Sequence, residues 1–134
     1  MTSLRNIAFV LLAVSLVACI NISNPKQVKT MPLDQLCEGY YFGRQPSVNH
    51  DTSWPTKQTD IKKELDRRAA VTADDWALID QGKIQTGMSE CALRAAWGYP
   101  IRIARTVNGD ADHYIYSSVR DAYVADGKVT KFQY

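Results

Sequence analysis

The stretch Gly87-Met88-Ser89-Glu90-Cys91-Ala92-Leu93-Arg94-Ala95-Ala96-Trp97-Gly98-Tyr99-Pro100 is a short apolar helix with a start and a stop written into it. Ser89 is a good N-cap, because its hydroxyl accepts an orphan backbone N–H, and Met88 before it is placed to pack on Leu93. Gly98 predicts a left-handed C-cap, and Pro100 blocks continuation. Only Glu90 and Arg94 are charged between the caps. They stand four apart, acid first, which predicts one polar stripe facing water and the other faces buried. A helix this apolar needs a sheet to lie on.

Downstream the period changes from helical to twofold. Ile101 and Ile103 alternate with Arg102 and Ala104, and Asn108-Gly109-Asp110 closes this first strand. Strands are predicted at 113–116, 122–125 and 128–132, the last two joined by Asp126-Gly127, a dipeptide suited to a two-residue hairpin. Val129 and Phe132 then fall on opposite faces of the last strand, which requires either a bulge or burial on both sides.

Upstream, Pro32 at an early helical position, then Leu33, Leu36 and Cys37 at helical spacing before Gly39, read as a short first helix. Residues 40–56 read as a loop rich in aromatic side chains (Tyr40, Tyr41, Phe42 and Trp54), which either enlarges the core or meets a partner. Lys57 to Ala70 carries Ile61, Leu65 and Ala69 four apart, an amphipathic helix whose interleaved acids and bases predict a solvated, salt-bridged face. Thr72 caps a further helix, with Asp75 reaching back, Trp76 and Ile79 buried, and Gly82 as its stop. The fold class expected is α+β: N-terminal helices followed by a short helix packed on a small three- to four-stranded antiparallel sheet.

The N-terminal residues carry a different message. Arg5 precedes an apolar run from Ile7 to Val17, broken only by Ser15 and too short for the roughly 20 residues that span a bilayer. It ends in Leu16-Val17-Ala18-Cys19, which resembles the bacterial lipobox. That resemblance implies cleavage before Cys19, a diacylglycerol and an N-acyl chain on Cys19, and, with Ile20 rather than aspartate next, export to the outer membrane facing the periplasm. The plainer alternative is an ordinary signal peptide or an uncleaved anchor in which the cysteine is incidental. Residues 19–30 are then a polar, mobile tether, and 31–134 a single globular domain with a helical extension over 31–78. Cleavage leaves 15 basic against 14 acidic side chains, a balance that argues against nucleic acid as a partner.

The order of Ile84, Gly87-Met88-Ser89, Leu93, Gly98, Pro100, Tyr114, Tyr116, Asp126-Gly127-Lys128-Val129 and Phe132 resembles the SmpA/OmlA (BamE-like) family of small outer-membrane lipoproteins, over Ile79 to Gln133. The resemblance implies two helices on one face of a small antiparallel sheet, used for protein and lipid contacts and not for catalysis. Residues 31–78 and the tight turn at Asn108 to Asp112 depart from the short members that serve the barrel-assembly machinery. The fold therefore carries over more readily than the job.

The chemistry on offer is sparse. With only His50 and His113, no His-Glu-x-x-His, Cys-x-x-Cys, Gly-x-Ser-x-Gly or phosphate-cradling loop is present, and no cofactor or metal is expected. Cys91 in the first turn of its helix, with His113 as base, is the one conceivable catalytic pair. Cys37 and Cys91 are an even pair for an oxidising compartment, so a disulfide is the economical reading, with two buried free thiols as the alternative. Arg102, Arg105, Arg120, Lys128 and Lys131 offer a basic sheet face for anionic headgroups or an acidic partner, although exposed strands also carry Lys to prevent edge pairing. The function expected is that of a non-catalytic envelope interaction or assembly accessory. A periplasmic enzyme inhibitor or small binding module is the alternative.

Overall fold

A computed structural model describes residues 25–45 and 54–134. Among these residues five helices precede a four-stranded sheet: α1 Pro25–Thr30, α2 Leu33–Gly43, α3 Trp54–Arg67, α4 Ala73–Ile79, α5 Glu90–Trp97, then β1 Arg102–Arg105, β2 Asp112–Ile115, β3 Asp121–Ala125 and β4 Lys128–Gln133. The strands form an antiparallel meander in the order β1-β2-β3-β4. The chain is thus α+β, helices first and sheet last.

The organising helix is capped as its sequence dictates. Ser89 Oγ accepts from the Ala92 amide at 3.1 Å and donates to Ala70 O at 2.9 Å, and Met88 and Leu93 are both fully buried. The segment leading into α5 also closes one side of the sheet. Gly87 and Glu90 donate to Val129 O and Gly127 O, and the Val129 amide returns a bond to Met88 O. The outer side of the first residues of β4, Lys128 and Val129, is therefore covered by the approach to α5.

A bulge settles the last strand. Tyr123 pairs with Lys131 but Val124 with Val129, so Thr130 is the extra residue and its hydroxyl donates to Tyr123 O. Val129 and Phe132 consequently share the helix-side face with Val124, Ala122 and Tyr114. That face, with Leu36, Ile61, Leu65, Ile79, Met88 and Leu93, makes one continuous hydrophobic core.

Several helical expectations are corrected. The first predicted helix does not end before Gly39 but continues through it to Gly43, because Gly39 faces α3, where a Cβ would meet Ile61 Cδ1 at 3.4 Å. Tyr40, Tyr41 and Phe42 therefore sit on a helix and not in a loop. Pro32 is the residue before α2 and stays outside it. Part of the predicted tether, Pro25–Thr30, is α1, whose Val28 is buried. Ala69 is not part of the α3 seam: the helix stops at Arg67 and Ala69 takes a positive φ of 51° to turn the chain. Asp75 does not reach back to Thr72, since its carboxylate accepts from Gln85, while Thr72 still takes the Asp75 amide.

Each expected solvated charge face is drawn partly inward: on α3, Lys63, Asp66 and Arg67 are exposed as expected, but Glu64 is not. Glu64 is only 5% exposed and accepts from both Arg67 and Arg68. Arg68 in turn donates to Met31 O and Lys29 O, which fastens α1 to α3. On α5, Arg94 is likewise buried while Glu90 stays partly exposed.

Candidate aromatic groove and its supporting network

Cys37 and Cys91 are joined by a disulfide across α2 and α5, 54 residues apart in sequence. The Cys91 sulfur is thereby engaged. His113 lies on the opposite face of the sheet, stacked on Tyr123 at 4.3 Å with Nε2 3.1 Å from Asp121. The catalytic pairing of Cys91 with His113 is not formed.

Beside the disulfide, Arg94 is the hub of the α2–α5–sheet junction. Its guanidinium donates to Glu38 of α2 and, at 3.0 Å, to Glu90 one turn earlier, and Glu90 also accepts from Tyr114 Oη at 2.6 Å. Burial would lower the Arg94 pKa, but hydrogen bonds to its partners more than offset this and hold it above the usual value. Burial, reinforced by the bond to Glu90, pushes the Tyr114 phenol up to about 12. Helix, sheet and disulfide are locked at one point.

Arg44, immediately after α2, is the second lock. It donates to Ile79 O and, at 3.0 Å each, to Ala95 O and Ala96 O, the last-turn carbonyls of α4 and α5. Those carbonyls have no partner within their own helices, and the helix dipole favours a cation there.

The two locks hold open a groove of about 360 Å³ at the C-terminal ends of α2 and α5, lined by Tyr41, Phe42, Trp97, Tyr99, Tyr116, Ser117, Val119 and Arg120. Trp97 is its buried floor. The Trp97 indole N–H donates to Gly82 O at 3.0 Å, and its ring meets Tyr116, Tyr134 and Phe132 edge to face at 5.3, 5.8 and 6.4 Å. The Arg120 guanidinium lies 5.1 Å from the Trp97 ring centre. Phe42, Tyr99 and Val119 are 43, 64 and 69% exposed, so the rim presents large apolar groups to solvent.

Gly98 shapes the wall. Its φ of 83° is positive but its ψ of −150° is extended, so it is not the left-handed cap expected, and a Cβ there would stand 2.5 Å from Tyr41 Cδ1. Only glycine allows both the backbone and the ring to occupy those positions.

The residues singled out from sequence are therefore divided. Tyr41 and Phe42 line the groove. Tyr40 does not: it is buried, edge to face with Trp76 at 4.8 Å, and its hydroxyl donates to Asp80. The Trp54 side chain and Cys19 lie outside the described residues. The five basic residues do not form one face. Arg102, Lys128 and Lys131 share the outer face by register, but Arg105 lies on the other face with Asp112 and Gly109, and Arg120 covers Trp97 at the groove. Trp97, Tyr99 and Val119 belong to no site motif in the sequence, and Tyr116 stands out only through the family resemblance. Tyr99, between a helix stop and a proline, and Val119, in a polar turn, are apolar residues in places with no core to join. That was the available signal.

Fold and groove together define a small α+β module with an aromatic-rimmed recess and a charge-locked helix layer. Comparison with protein-family models, with curated proteins and with solved structures gives no match to this chain.

Proposed function

We propose that this chain is a lipid-anchored envelope protein, held on the outer membrane through acylated Cys19 and facing the periplasm, that acts as a non-catalytic interaction or assembly accessory. The observation that carries the interaction role is the groove, with Phe42, Tyr99 and Val119 exposed around a rigid Trp97 floor. Large apolar side chains on a preorganised recess bind partners at low entropic cost. Engagement of the Cys91 sulfur by Cys37 supports the non-catalytic reading. The anchor rests on Leu16-Val17-Ala18-Cys19 alone. Two or more acyl chains suffice for stable membrane attachment without a spanning helix.

The likeness to SmpA/OmlA lipoproteins makes outer-membrane protein assembly the specific version of this proposal. Crosslinking in cells followed by capture of the mature lipoprotein, scored for barrel-assembly components, tests it. Their recovery supports assembly, and recovery of a periplasmic hydrolase instead supports an inhibitor. Mass spectrometry of the membrane-extracted protein should show an acylated Cys19 at the mature N-terminus; an unmodified Cys19 still preceded by residues 1–18 would contradict the lipid anchor.

A further inference from the structure

The two edges of the sheet differ. The outer side of β4 is met by the approach to α5 at Lys128 and Val129, whereas β1 is an edge strand with no neighbour along its length among the described residues. Thr106 donates to Ala111, so counting back in twos Ala104 and Arg102 bond to β2, and the backbone groups of Ile103 and Arg105 point away from the sheet. In the helix-side row Ile103–Tyr114–Ala122–Phe132, Tyr114 and Ala122 are buried but Ile103 is 43% exposed, and Ile101 just before it is 77% exposed. The core row thus runs one strand beyond its cover.

The charge on β1 is of one sign. Arg102 is exposed on the outer face, and Arg105 on the other face has its ion pair with Asp112. A strand laid along β1 therefore meets a guanidinium on each face. A second copy of this chain would bring two more arginines to the same seam, and like charges across strands are destabilising. An extended strand with its acidic side chains on the outer face meets the exposed Arg102, and its intervening apolar side chains cover Ile103 on the helix-side face.

We propose that β1 receives, by strand addition, an extended segment of a partner protein in which acidic residues alternate with β-branched apolar ones. This rests on the reading of the chain as an interaction module but uses a different surface from the aromatic groove, so the two fail separately.

The test is amide hydrogen exchange, followed by NMR on the full chain, with the probe peptide acetyl-Glu-Val-Glu-Val-Glu-Val-amide. Exchange at Ile103 and Arg105 should slow at least about tenfold at saturation, because two unpaired amides become ladder donors. The Lys-for-Glu peptide and a version N-methylated at alternate residues should leave both amides fast, and Arg102→Glu should weaken the acidic peptide and favour the basic one. No slowing at millimolar acidic peptide, or equal slowing by the Lys peptide, overturns the proposal. Slowing without peptide that grows with protein concentration also overturns it, since the occupant is then a second copy. Peptide effects confined to Trp97 and Tyr99 overturn the edge site and leave the groove standing.

Discussion

The Tyr41 ring lies against Gly98 so closely that a Cβ on Gly98 would sit 2.5 Å from Tyr41 Cδ1. This contact joins the α2 aromatic wall to the end of α5. Gly98→Ala adds a clash of about 1–3 kcal/mol to a comparable backbone strain. We expect a loss of roughly 2–5 kcal/mol in denaturant unfolding, whereas Gly87→Ala, with the same sign of φ but open space around it, should show the backbone cost alone.

Removing the disulfide should act mainly on the unfolded chain. Closure of a 54-residue loop is worth roughly 4 kcal/mol by loop entropy. Cys37→Ala with Cys91→Ala should lower the unfolding free energy by about that amount, and two alkylatable thiols in the unreduced wild-type protein would contradict the bridge itself.

Loss of the Arg94 guanidinium leaves the Glu38 and Glu90 carboxylates at a junction built for three charges. Arg94→Met should cost about 3–5 kcal/mol, as breaking a buried pair does. Adding Glu38→Gln should return part of that loss, a coupling that a double-mutant cycle measures directly.

Acid should loosen the α1–α3 junction. Hydrogen bonds from Arg67 and then Arg68 lower the Glu64 pKa to about 2, against about 4.3 in an unfolded chain. A depressed carboxylate contributes stability that is present above its unfolded pKa and is lost as pH falls toward the folded one. Urea midpoints should therefore fall from about pH 4.5 downward, and Glu64→Gln should be less stable at neutral pH with a flatter acid limb. An unchanged limb in the variant would remove Glu64 from the account.

Much of the α5–sheet half was legible because its signals are local: Ser89, Gly98 and Pro100 bracket a helix, and Asp126-Gly127 turns a hairpin with both residues at positive φ. The charged residues were harder. Glu90 and Arg94 at i,i+4 spacing look the same whether the stripe faces water or Glu38, and only the position of α2 decides. Nothing local marks Arg44, because its acceptors, Ile79, Ala95 and Ala96, are 35 to 52 residues away. The groove was half legible for the same reason. Tyr41 and Phe42 drew notice as clustered aromatics, but their meeting with Tyr99 and Val119 is a product of tertiary packing.

The central claim, that the groove is where a partner binds, is tested most directly by site-specific photo-crosslinking in intact cells with benzoylphenylalanine in place of Tyr99 or of Lys131. Both sites are exposed, Tyr99 on the groove rim and Lys131 on the outer sheet face, so neither replacement should perturb the fold. The account predicts a discrete adduct from position 99 that disappears with Phe42→Ser, and none from position 131. An adduct from position 131 with none from 99 would contradict it.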